Sequence, residues 1–169
     1  MSDDGSTLPY TSDLRPDLFE KALALGAILL FALVAIALLR GNAGWGEIPT
    51  LVWLHLATVM TALALTPVQL LRLRGDTAHR MIGRVWAASL FAAALLSFGI
   101  RDINEGGFSF IHILSVVTLV AVPLLVLAAR HHRIAPHRSA VRGLVTGALL
   151  TAGYFTLIPG RMLGDWLWN

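Results

Sequence analysis

The sequence predicts an all-α integral membrane protein with five transmembrane helices. Three observations carry this. The 169-residue chain is 56% hydrophobic and only 14% charged, with a mean hydropathy of +0.72, whereas a soluble domain carries about a quarter charged residues. Its apolar residues fall into five runs, each of about 20 residues or slightly more, enough to cross a ~30 Å hydrocarbon core at ~1.5 Å per residue. Its arginines gather in the connections between those runs. Inside lipid the backbone must satisfy its own hydrogen bonds, so the runs are helices rather than strands.

In order, residues 1–17 form a polar tail with Pro9 and Pro16. The tail lacks the positively charged start of a cleavable signal peptide, so the first apolar run is expected to stay as an anchor. That run extends from Leu18 to Leu39, uncharged between Lys21 and Arg40. A turn over Gly41–Gly46 carries Trp45, a residue type of membrane interfaces. The second run is Ile48–Leu71, with Pro49 at its first turn, where proline is tolerated, and Pro67 near its end. The third is Ala78–Ile100 and the fourth Phe108–Ala129, with a kink expected at Pro123. The fifth is His137–Ile158, with Pro136 at its start. Residues 18–163 thus form one five-helix domain and 164–169 a short tail, whose Trp166 and Trp168 suit an interfacial belt. Gly143 and Gly147 have the small-xxx-small spacing of close helix packing.

The stretch Leu71–Arg84 sets the topology. It holds Arg72, Arg74, Arg80, Arg84 and His79, which require water or headgroups. Gly75 and Asp76 break one helix, and Asp76 or Thr77 can cap the next. With this loop inside, ten of the thirteen Lys and Arg residues lie inside; only Arg40, Arg101 and Arg161 lie outside. The positive-inside rule then places the N-terminus inside and the C-terminus outside, as a multi-pass protein of a bacterial inner membrane. The same confinement of arginine to loops explains the pI near 10.2 better than a nucleic-acid partner does; the expected partner is the lipid bilayer. With no cysteine there is no disulfide framework and no thiolate metal site. No HExxH, phosphate-binding glycine loop or nucleophile elbow is present. No carboxylate sits mid-helix for a proton relay.

Four of the six histidines are ordered. His55 lies near the outer end of helix 2, His79 at the inner end of helix 3, His112 near the outer end of helix 4 and His137 at the inner end of helix 5. The levels pair His55 with His112 and His79 with His137, each pair on helices that run in the same direction. A haem iron takes two axial imidazoles from opposite faces, and diagonal helices of a four-helix bundle can offer them. From His55 to Leu71 is about 24 Å along the axis, so two such tiers would span much of the membrane. A histidine near a membrane helix end also serves as an interfacial or hydrogen-bonded residue, and His131 and His132 read that way. Arg80, Arg84, Arg138 and Arg142 inside, and Arg101 outside, can pair with haem propionates or anionic headgroups as well as set topology.

His79-Arg80-Met81-Ile82-Gly83-Arg84 resembles the His-x-x-x-Gly opening of the third helix in cytochrome b561-type proteins. One histidine on each of helices 2 to 5 resembles that family's ligand plan. A bacterial family of small, uncharacterised membrane proteins is similar too, through Pro67-Val68-Gln69-Leu70, the Arg-x-Arg…His-Arg-x-x-Gly loop and the later His137-Arg138. The resemblance spans Leu51–Thr156. It implies that helices 2–5 form a b561-like bundle holding one or two b-type haems, ligated by His55 and His112 outside and His79 and His137 inside. This chain has five helices where b561 has six, and its inner histidines are shallower. The function implied is a transmembrane electron-transfer cytochrome serving a donor and an acceptor such as a quinone. Two other readings stand beside it: an accessory or assembly subunit of a larger membrane complex, and a carrier or sensor with a histidine-lined cavity.

Overall fold

The computed structural model describes residues 15–101, 107 and 109–169. Most of the polar N-terminal tail, the body of the expected Arg101–Gly107 turn and Phe108 lie outside the described residues. The helices are α1 (Leu18–Arg40), α2 (Thr50–Leu71), α3 (Thr77–Ser97), α4 (Phe110–Arg130), α5 (Ile134–Leu144), α6 (Ala152–Thr156) and α7 (Met162–Trp168). A 3-10 turn (Asn42–Glu47) joins α1 to α2, and a π-helical segment (Val145–Thr151) joins α5 to α6. No strand occurs among the described residues. Four helices, α1 to α4, are long and apolar enough to cross a membrane. The path from Ile134 to Thr156 is helical throughout, because Val145 and Ala152 both keep right-handed helical angles. Its middle widens by one residue per turn, and Thr151 Oγ1 donates to Thr146 O, five residues back, at 2.8 Å.

Local chemistry explains the helix ends. Asp17 caps α1: its Oδ1 accepts the Glu20 N–H at 2.9 Å while Glu20 Oε2 accepts the Asp17 N–H at 3.1 Å, a reciprocal box that satisfies two orphan donors. These contacts, the Glu20 N–H first, hold the Asp17 carboxyl below its ordinary range. Asp76 caps α3, its Oδ1 accepting the His79 N–H at 2.6 Å, as the sequence suggested. Gly75 precedes it at φ +91°, a left-handed backbone that glycine adopts without a Cβ clash. The prolines fall as expected, Pro49 at the start of α2 and Pro136 in the first turn of α5, with Pro67 and Pro123 inside α2 and α4.

The helices close into a ring. Helix α1 packs on α2, α2 on α3, α3 on α4 and α4 on α5, and the π segment returns to α1. Helix α1 is therefore a wall of the ring. It buries Leu23, Ala24, Ala27, Leu30, Val34 and Ala37. Close approach occurs where α1 meets the last helical run: a Cβ on Gly153 would lie 2.4 Å from Leu30 Cδ2, and one on Gly26 3.2 Å from Leu150 Cδ1. Of the expected Gly143/Gly147 pair, Gly147 packs on α4, where a Cβ would lie 3.6 Å from Leu114 Cδ1, while a Cβ on Gly143 meets nothing within 4 Å among the described residues. Outside the ring, Leu25, Leu29, Leu33 and Ile36 of α1 and Val116, Val120, Leu124 and Leu127 of α4 are exposed, an apolar surface that suits acyl chains. The expected C-terminal tail includes helix α7, which docks on α1: Arg40 donates to Leu167 O, and the Trp166 ring lies where a Cβ on Gly41 would be, 2.0 Å from Cδ2.

At the opposite end Glu20 is 1% exposed and binds α1 to two other parts of the ring. Arg138 Nε and Nη2 donate to Oε1 at 2.6 Å and Oε2 at 2.9 Å. Arg142 reaches Oε1 at 3.2 Å, and Arg74 of the α2–α3 loop donates to Oε2. A carboxylate buried this fully is tolerable because nearly every lone pair is met by a charged donor.

Two predictions follow from these contacts. Glu20→Ala leaves three guanidinium groups without their shared anion and should lower stability by about 3 kcal/mol or more, read as an earlier unfolding midpoint in detergent; an unchanged midpoint would show that the network does not hold α1. Asp76 has its carboxyl lowered to about 2, first by the Arg72 guanidinium and then by the His79 N–H. An unfolded aspartate titrates near ~3.9, so this cap stabilises the fold above about pH 4 and is lost as pH falls through about 2. Asp76→Asn should flatten the stability profile across that window, and an unaltered acid limb would contradict it.

Candidate functional site

Two cavities open inside the ring, one at each end, and each is lined by one of the histidine pairs expected from the sequence. The first, about 510 Å³, contains His55 of α2 and His112 of α4. The second, about 430 Å³, lies at the end that carries the α2–α3 loop and contains His79 of α3 and His137 of α5. They are called the far-end and basic-end cavities below. Residues 79 and 93 of α3 bracket the separation: His55 bonds to Ala93, and the intervening turns span roughly 21 Å. Residues 112 and 125 of α4 give a matching ~20 Å, since His137 bonds to Leu125.

The far-end cavity is walled by apolar and small side chains, including Ala93, Ala94, Ala148 and Gly153. The Nδ1–H of His55 donates to Ala93 O at 3.0 Å. A carbonyl can only accept, so the proton sits on Nδ1 and Nε2 keeps its lone pair. His112, 6% exposed, is used differently. Its Nδ1 accepts the Ser109 N–H at 2.9 Å and lies 3.3 Å from Ser109 O, so the neutral ring as placed carries its proton on Nε2. Ser97 and Ser115 share a buried 2.6 Å hydrogen bond beside it. The cation lining this cavity is Arg161. Arg101, the residue expected in that role, turns back on its own helix, its Nε–H donating to Phe98 O at 3.0 Å.

The basic-end cavity combines apolar side chains, among them Leu70, Trp86, Leu125 and Val141, with a set of charged ones. Arg74, Arg80, Arg84, Arg130 and Arg138 line it together with a single carboxylate, Glu20. The Nδ1–H of His137 donates to Leu125 O at 3.1 Å, leaving Nε2 as an acceptor. His79 Nδ1 and Gln69 Oε1 are buried with no hydrogen-bond partner among the described residues, while Gln69 Nε2 donates to His79 O at 3.2 Å. Gly83 gives the Gln69 amide its room, for a Cβ there would lie 2.5 Å from Nε2. Among the described residues Arg80 makes a 3.3 Å bond to Thr77 Oγ1, whereas Arg138 is engaged by Glu20.

Between the cavities lies a packed floor. Leu63 and Leu90 face the far-end cavity, and one turn further Thr66 and Trp86 face the basic-end one. Trp86 Nε1–H donates to Thr66 Oγ1 at 2.9 Å, and that hydroxyl donates in turn to Ala62 O at 2.7 Å.

The chain matches no family model, no curated protein and no solved structure.

Sequence reasoning placed each histidine pair at a common level, and the structure brings each pair to one cavity. It missed Glu20 and Arg161. Glu20 offered one local signal, a carboxylate at the third position of an otherwise apolar helix. Arg161 offered none beyond following the last apolar run. The described residues hold no group of three or more His, Cys, Asp or Glu arranged to bind a metal ion.

The tautomers can be checked directly. Nitrogen-15 spectra of the labelled protein should show His55 and His137 as Nδ1–H rings and His112 as an Nε2–H ring near neutral pH. An Nε2–H ring at His55 would contradict the Ala93 contact.

Proposed function

We propose that the protein is a membrane electron-transfer cytochrome that holds one b-type haem in the far-end cavity between His55 and His112. One observation supports this above the rest: two imidazoles from α2 and α4 face a shared, apolar cavity of about 510 Å³, within the range of cofactor pockets. The residues fit such a group. His55 keeps an Nε2 lone pair through its bond to Ala93, the usual way an outer partner orients a ligating ring. His112 would ligate through Nε2 with its proton on Nδ1, which would require the ring to give up the Ser109 N–H bond at 2.9 Å in favour of Ser109 O, 3.3 Å away. Arg161 supplies a cation for acidic substituents, and Ala93, Ala94 and Ala148 present only methyl groups to a flat ring. When bound, the haem supplies one-electron chemistry; the chain's part is ligation, orientation and exclusion of water. The basic-end pair, His79 and His137, fits a second haem less well, because charged arginines and a buried carboxylate wall that cavity.

The same proposal includes five crossings, the fifth running through the Ile134–Thr156 path, with the basic end in the cytoplasm and helices 2–5 as a b561-like ligand-bearing bundle. The cation asymmetry and the two-tier histidine pattern support it. The donor and acceptor would be redox molecules reaching opposite ends, a quinone among the candidates for the lipid-facing side.

The test is spectroscopic. Protein purified in detergent should show a b-type Soret and alpha band in reduced-minus-oxidised spectra, at one haem per chain. His55→Ala or His112→Ala should remove it, and His79→Ala or His137→Ala should leave it. A colourless, iron-free protein after haem-replete expression would sink the proposal.

A further inference from the structure

The arginines of the basic-end cavity pose a separate question, because the described residues do not balance their charge. Among the described residues Glu20 is the one carboxylate lining the cavity, and with Asp17 it is already matched by Arg74, Arg138 and Arg142. Those two anions face three cations. Arg80, Arg84 and Arg130 line the same cavity and make no ion pair among the described residues. They come from two helices, α3 and α4, and line the cavity together with His132 and His137. Topology alone requires cations on this side of a membrane, but it does not require three of them to line one cavity beside a carboxylate already matched by other arginines. Guanidinium groups so placed suit a tetrahedral oxyanion, since each presents two parallel N–H donors to two of its oxygens.

We infer that the basic-end cavity binds a phosphate group, held by Arg80, Arg84 and Arg130. This goes beyond the cytochrome proposal and stands without it, since no ligand of the far-end cavity is involved. The phosphate has two possible sources, an anionic lipid headgroup entering from the bilayer and a free phosphate entering from the aqueous side.

The experiment uses the full chain with and without Arg80→Gln/Arg84→Gln. Arg133→Gln/Arg15→Gln serves as the control: it removes the same net charge from residues that do not line the cavity. Isothermal titration with inorganic phosphate in a chloride buffer tests the free anion. Native mass spectrometry after extraction from nanodiscs of phosphatidylglycerol and phosphatidylcholine tests the headgroup. Saturable phosphate binding, or retained phosphatidylglycerol at one per chain, weakened at least tenfold in the cavity variant and less than twofold in the control, is the expected result. Free-phosphate binding assigns the aqueous source, and lipid retention alone assigns the headgroup. Arg80→Lys/Arg84→Lys keeps the charge and guards against a folding defect; it should weaken binding without shifting the unfolding midpoint. Neither ligand binding, equal losses in cavity and control variants, or a second haem at His79 and His137 that excludes phosphate would each overturn the inference.

Discussion

A carboxylate with almost no solvent contact, inside what is otherwise a bundle of apolar helices, constrains much of this molecule. Glu20 cannot remain ionised there unless donors surround it, and donors of sufficient strength must be charged. The fold meets that requirement by drawing Arg74 from the α2–α3 loop and Arg138 and Arg142 from α5 onto one side chain. Three consequences follow. Helix α1 is fixed in register against α2 and α5 at this end. The loop between α2 and α3 cannot swing away from the ring. The arginines that reach Glu20 are partly neutralised, so the free positive charge of this end is concentrated on the residues that do not reach it.

Much of the architecture was legible because it depends on near neighbours. Run length, the proline positions and the Asp76 cap are each decided within a few residues, and the structure reproduces them. The histidine levels were legible for a related reason: helices of similar length that alternate direction bring residues at matching depth to the same end. What escaped depends on distant parts of the chain. Glu20 meets Arg74 across 54 positions and Arg138 across 118, and neither spacing carries a pattern. The register of the last helical run escaped as well. A widened π turn moves its close contacts from Gly143 to Gly153, and nothing in residues 145–151 announces the widening.

The two ends are built for different chemistry although their histidines are placed alike. At the far end His55 and His112 meet in an apolar chamber with a single cation, where a large uncharged ring is well accommodated and an ion is costly. At the basic end the same kind of pair shares apolar side chains such as Trp86, Leu125 and Val141 with five arginines, and an anion is stabilised there. Histidine position alone therefore does not define equivalent sites; the walls around each pair decide what it can hold.

The floor between the cavities keeps that difference in place. Leu63 and Leu90 close one side, and the Trp86–Thr66 hydrogen bond closes the other with both partners buried. A polar bond in the middle of a membrane bundle is stable here because the indole N–H and the hydroxyl satisfy each other and the hydroxyl passes its own proton to Ala62 O. Neither group is left to recruit water, so the floor stays dry. A dry floor keeps water from passing between the two cavities and lets the far-end chamber remain a low-dielectric site. The chemical contrast between the ends thus depends on a layer one helical turn thick, and that layer depends on the helix register that Glu20 helps to hold.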